Sequence, residues 1–156
     1  MAKELLKPVY QSVYGEKFDA SSFEKRMEMQ KAIYILQEAG IRVGDYDFLW
    51  YKHGPYCQSL QDDILCLSDT PDIAIKYSED AKEVIERVKS VINMNVEYAR
   101  STWVECLASL QYLRANVFSL NASNEDIVKD LMTRKSHLNN METNMMALAR
   151  LDYILG

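Results

Sequence analysis

The residues of this 156-residue chain whose types suit nucleophilic, acid-base or metal chemistry are few: His53, His137, Cys57, Cys66, Cys106 and the adjacent pair Asp62 and Asp63. His53 followed by two aspartates invites a metal or general-base reading. A metal needs three or four ligands converging on one point, however, and neighbouring residues on a helix send their side chains apart. Neither histidine belongs to an HxxxH or HExxH pattern. Cys106 lies in an apolar stripe with Trp103, Leu107, Leu110 and Leu113, where a thiol behaves as a small hydrophobe, and a nucleophilic role would require a matched histidine. No catalytic residue, cofactor or metal ligand is therefore expected, and the reading is of a protein that is not an enzyme.

What remains chemically distinctive is the segment Tyr51-Lys52-His53-Gly54-Pro55-Tyr56. A cation, a polar ring and an amphipathic aromatic on a rigid loop make good anchors for another protein, and Gly-Pro stiffens the loop at little entropic cost. Lys52, His53, Gly54, Pro55 and Tyr56 are thus the candidate partner-binding residues; the plainer alternative is that the segment only turns a strand into a helix. A methionine group, Met132, Met141, Met145 and Met146, offers an adaptable surface or, more simply, core. Arg134-Lys135 is a basic patch too short to argue for nucleic acid.

Composition bounds the partners. Twenty-three acidic against 18 basic residues leave a formal charge of −5, which repels a phosphate backbone. The odd cysteine number without CxxC spacing suits reduced thiols, the amino-terminal segment lacks a continuous apolar core, and no run approaches the ~18 apolar residues of a membrane span. A soluble cytoplasmic protein is expected.

The elements that must position the loop come from periodicity. The core motif spans residues 23–67: a helix, a tight connection, an aromatic strand and a second helix entered through the Gly54-Pro55 turn. Ser21 and Glu24 have capping-box spacing, with Phe23, Met27, Ile33, Tyr34 and Leu36 as the stripe and Gly40 as the stop. Tyr46, Phe48 and Trp50 alternate as in a strand, for which Ile41-Arg42-Val43 or residues 73–77 are the candidate partners. Gly54-Pro55 reads as a helix start with Cys57, Leu60, Ile64 and Leu67 inward, and residues 68–78 as a loop or edge segment. Pro8 marks a boundary of any amino-terminal helix, whose face is Leu6, Val9, Tyr10 and Val13. Ser78 opens an amphipathic helix, residues 96–117 a central buried one, Ser123 caps a short one, and Asn139 or Asn140 a last one carrying Met141, Met145, Leu148, Leu151 and Leu155. The fold expected is mainly α: one compact domain over residues 1–156, a bundle of five to seven helices with a short two- or three-stranded ribbon.

The wording SSFEKRMEMQKAIYILQEAG, GDYDFLWYKHGPY and LQDDI across residues 21–64 resembles the YwgA-like uncharacterised bacterial proteins and, more loosely, the Panacea antitoxin-like superfamily. Lys31 and Tyr34 match a K-x-x-Y helix motif, Tyr51, Gly54, Pro55 and Tyr56 match a "Y-x-x-GPY-S" turn, and Trp103 to Leu113 resembles the tryptophan-bearing helix of YwgA-like chains. Cys57 departs from the usual serine, which removes a hydroxyl cap. The resemblance implies a helical module of a prokaryotic or phage toxin-antitoxin or defence system, acting by contact with another protein such as a toxin or defence component. The alternative is a winged-helix-like nucleic-acid-binding regulator, against which stands the flanking of Lys25-Arg26 by Glu24 and Glu28.

Overall fold

Nine of the residues of the second helix, Glu28 to Leu36, are buried consecutively, which places that helix inside the molecule rather than on its surface. The computed structural model describes residues 2–67 and 70–156; of the loop or edge segment expected over 68–78, Ser68 and Asp69 lie outside the described residues. The described residues form α1 (Ala2–Tyr14), α2 (Phe23–Glu38), β1 (Leu49–Tyr51), β2 (Gly54–Tyr56), α3 (Gln58–Leu65), α4 (Glu79–Ile92), α5 (Arg100–Asn116), α6 (Asn124–Arg134) and α7 (Met141–Leu155). The mainly helical class and the short ribbon agree with expectation. No helix among these residues is long and apolar enough to cross a membrane.

Helix α5 is the hub, in contact with α2, α4, α6, α7 and β2, and its residues Trp103 to Leu110 and Leu113 are buried. One apolar core runs from Leu6 in α1 to Ile154 in α7. The cap readings hold at Ser78, Ser123 and Asn140, whose side chains accept the N–H of Ala81, Asp126 and Thr143. Gly40, at φ +96°, closes α2 with the paired bonds of a Schellman motif, Ile41 N–H to Leu36 O at 2.8 Å and Gly40 N–H to Gln37 O at 3.1 Å.

Four expectations are corrected. Helix α1 continues through Pro8, because burial of Leu6, Val9, Tyr10, Val13 and Tyr14 outweighs the loss of one hydrogen bond from the ladder. The α2 cap is Ser22, accepting from Lys25 N–H, while Ser21 donates through its N–H and hydroxyl to Asp19; Phe23, at the helix start, is 58% exposed and outside the core. Tyr46, Phe48 and Trp50 do turn inward, but only residues 49–51 pair, and neither 41–43 nor 73–77 is a strand. The segment 73–77 is held by side chains instead, with Tyr77 donating its hydroxyl to Ser12 Oγ at 2.8 Å.

The fourth correction concerns Gly54-Pro55, which is strand rather than helix start. β1 and β2 form an antiparallel hairpin, Leu49 opposite Tyr56, Trp50 opposite Pro55 and Tyr51 opposite Gly54, with Lys52-His53 as its turn. Two-residue hairpins usually take their twist from positive φ within the turn; here that conformation falls on Gly54, at φ +92°. The α3 cap is then Cys57, which makes no side-chain cap bond. Gly54 is also the point at which the hairpin touches α5: a Cβ there would overlap Ser109 Oγ, a buried hydroxyl without a hydrogen-bond partner. Gly54→Ala is accordingly expected to destabilise by about 2–4 kcal/mol, combining the left-handed penalty with overpacking. In chemical denaturation, Ser109→Ala should restore the steric part only, since Ser109 Cβ lies 3.5 Å from where the new methyl group would stand. Gly54→Ala unfolding at the wild-type midpoint would refute this account.

Candidate functional site

A hairpin with three residues in each strand is marginal by its own hydrogen bonds, and Pro55 contributes no N–H to the ladder. Its anchorage comes from side chains below it. Lys31, one per cent exposed in the middle of α2, donates from Nζ to Pro55 O at 2.8 Å. Lys135, just after α6, donates from Nζ to Lys52 O at 2.6 Å. Gln30 grips the exit from β2 at both ends of its amide: Nε2 donates to Cys57 O at 2.9 Å and Oε1 accepts Cys57 N–H at 3.0 Å. Two ammoniums and a carboxamide thus replace the missing neighbouring strand.

The buried carboxylate beside these cations is Glu105 on α5, which is ion-paired with Lys135 and reaches Lys31 through its field alone. Its Oε2 lies 3.2 Å from Lys135 Nζ, and both its oxygens lie 3.1 Å from Nε2 of the half-exposed His137. Burial pushes the Lys31 ammonium down to about 7; the field of Glu105 pulls it upward and that of Lys135 adds to the depression. His53 is also lowered, chiefly by partial burial, with Glu105 acting in the opposite direction. Trp50, on the inner face of the hairpin, carries Lys135 Nζ at 5.3 Å and Arg134 at 5.8 Å over its ring and Tyr112 at 5.7 Å beside it.

The outer face is different. Tyr51, Lys52 and His53 are exposed, Gly54 and Pro55 are buried, and Tyr56 is half-buried with its ring 5.1 Å from that of Tyr51. Of the five residues expected to meet a partner, Gly54 and Pro55 are therefore scaffold, and the presented groups are Lys52, His53 and part of Tyr56, joined by Tyr51. His53 leans edge-on against the exposed ring of Phe23 at 5.5 Å. Lys31 of the K-x-x-Y motif reaches this site from beneath. Tyr34 does not; its ring meets Phe48 at 5.1 Å on the adjoining face of α2.

The other sequence candidates are occupied locally. Asp63 accepts the Tyr46 hydroxyl at 2.8 Å and Asp62 accepts Gln58 Nε2 at 3.0 Å. No three metal-ligating side chains cluster among the described residues. The Cys106 thiol, buried and 3.3 Å from Asn144 Oδ1, is pushed up by desolvation, the opposite of what activates a nucleophile. A separate ion network ties the start of α5 to α2 and the segment before it: Arg100 bonds Glu28 at 2.9 Å and Glu16 at 2.8 Å, and the bonds that Glu16 accepts from Arg100 and Lys25 hold it down to about 2. Met141, Met145 and Met146 are half-buried at the core margin.

Sequence reasoning did not assign Gln30, Glu105, Lys135 or His137 to this site. A signal was present for two members of the cluster: Lys31 falls on the apolar stripe of α2, four residues after Met27 and three before Tyr34, and Glu105 is the one acid within Trp103–Leu113. A charge inside a buried stripe implies a buried counter-charge. Which residue supplies it is a matter of tertiary contact. No protein-family model, curated protein or solved structure matches the chain.

Proposed function

We propose that this chain is a non-enzymatic protein-interaction module that holds another protein, such as a toxin or defence component of a prokaryotic or phage system, against the tip of the β1–β2 hairpin. The single observation that carries the reading is the contrast between the two sides of that hairpin. Its inner side is locked by Lys31, Lys135 and Gln30, while its tip presents Tyr51, Lys52 and His53 to solvent. A loop that is rigid before contact loses little entropy on binding, and exposed aromatic and cationic side chains are the groups that contribute most at interfaces. The resemblance to YwgA-like and Panacea antitoxin-like proteins, carried by Lys31, Tyr34, Tyr51, Gly54, Pro55, Tyr56 and the helix from Trp103 to Leu113, supports the same assignment, with the cytoplasm as the compartment.

The test uses the protein that co-purifies with this chain from its native host. In titration calorimetry, Lys52→Ala, His53→Ala and Tyr56→Ala are each expected to weaken binding by more than ~1 kcal/mol while the helical circular dichroism stays unchanged. Three folded variants with wild-type affinity would reduce the hairpin to a structural element.

A further inference from the structure

Between the amino-terminal half of α2 and the hairpin lies a cavity of about 280 Å³. In a chain of net charge −5, its lining includes Arg26, Lys31, Lys52 and His53 and no carboxylate. Phe23 and Tyr51, 58% and 54% exposed, carry the apolar part of the lining out to the surface. The cations are short of acceptors. Lys31 Nζ has three N–H bonds to give when charged and one hydrogen-bonding acceptor among the described residues, Pro55 O. Arg26 gives Nη1 to Ala20 O at 2.7 Å, and its buried Nε has no partner. Glu105, the carboxylate whose field reaches Lys31, is bonded to Lys135 and His137 instead.

We infer that this cavity binds a carboxylate carried on an apolar group, presented as an acidic side chain by the protein that docks on the hairpin tip. The inference rests on the docking reading and names the chemistry of the partner. A buried cation with donors to spare and no carboxylate bonded to it is relieved by an anion, and desolvation makes that interaction stronger than at the open surface. The exposed rings at the mouth favour a carboxylate with apolar neighbours over a free inorganic ion, which has nothing to lay against them.

The binding should be coupled to protons. The charged groups that act on Lys31 are Glu105 from α5, Lys135 from the segment after α6 and His53 from the turn, and His53 in turn feels His137. An anion favours charged Lys31, so affinity is expected to fall as pH rises through about 7. Lys31→Met should remove that fall, and His53→Ala should keep it.

The probes are 3-phenylpropionate, its uncharged amide 3-phenylpropanamide, and inorganic phosphate, each titrated into the full chain while backbone amide resonances are followed. The carboxylate is expected to give saturable shifts at Arg26, Lys31 and His53, with the amide weaker by about tenfold, the equivalent of one charge-assisted contact. Arg26→Gln and Lys52→Ala, both changes at solvent-reached positions, should each weaken the carboxylate and leave the fold intact. Equal binding of acid and amide, tighter binding of phosphate than of the carboxylate, or no saturable shift would overturn the inference. The two readings separate in the outcome. Partner affinity lost in His53→Ala without any carboxylate binding leaves the docking surface standing and removes the cavity; carboxylate binding with partner affinity indifferent to the hairpin variants does the reverse.

Discussion

Replacing Glu105 by leucine is expected to destabilise the protein by about 3–5 kcal/mol, the cost of stranding a buried charge by removing its partner. Lys135 is five per cent exposed, and Glu105 is the carboxylate paired with it. Without Glu105, the ammonium keeps Lys52 O and the Trp50 ring, neither of which carries a full negative charge. Lys31 and His137 lose the same counter-charge. A leucine of similar volume fills the space, so cavity formation does not confuse the measurement. Against a typical total stability of roughly 5–15 kcal/mol, such a loss moves the urea midpoint far enough to read without ambiguity. The double variant Glu105→Leu with Lys135→Met should recover part of it, because replacing a whole buried pair by apolar groups is often close to neutral. A loss below ~1 kcal/mol for Glu105→Leu would mean that the hairpin anchor is no more than a surface ion pair.

Trp103→Ala is expected to cost about 3–5 kcal/mol, the range for deleting a buried aromatic side chain. Trp103 has no exposed surface, and its Nε1 donates to Val91 O at 2.8 Å, joining the first turn of α5 to the last turn of α4. Truncation removes the ring contacts and leaves a cavity whose walls are helices that cannot easily close on it, and it also frees a carbonyl. Trp103→Phe separates these terms: most of the volume returns, the hydrogen bond does not, and the remaining loss should be about 1–2 kcal/mol. A melting temperature unchanged in Trp103→Ala would contradict the position of α5 at the centre of the core.

The site is where local and tertiary information part. Periodicity and capping chemistry act over three or four residues, so the apolar faces of α4, α6 and α7 and the caps at Ser78, Ser123 and Asn140 are legible in the chain itself. So are the inward side of Tyr46, Phe48 and Trp50 and the burial of Trp103, Cys106 and Leu107. Gly54-Pro55 shows the limit of that reading. Both a helix start and a hairpin strand tolerate a proline without a donor after a residue kept out of the α region. The choice fell to the hairpin because its carbonyls meet Lys31 and Lys135, residues 24 and 83 positions away along the chain. Pro8 yielded to packing in the same way, its local cost outweighed by a buried face. Apolar periodicity, most of the helix boundaries and a rigid aromatic and basic turn near residue 53 are thus properties of the chain alone. The convergence of Lys31, Glu105, Lys135 and His137 behind that turn belongs to the packed molecule, since a buried charge is resolved by whichever partners the assembled helices bring within reach, and no local pattern records that distance.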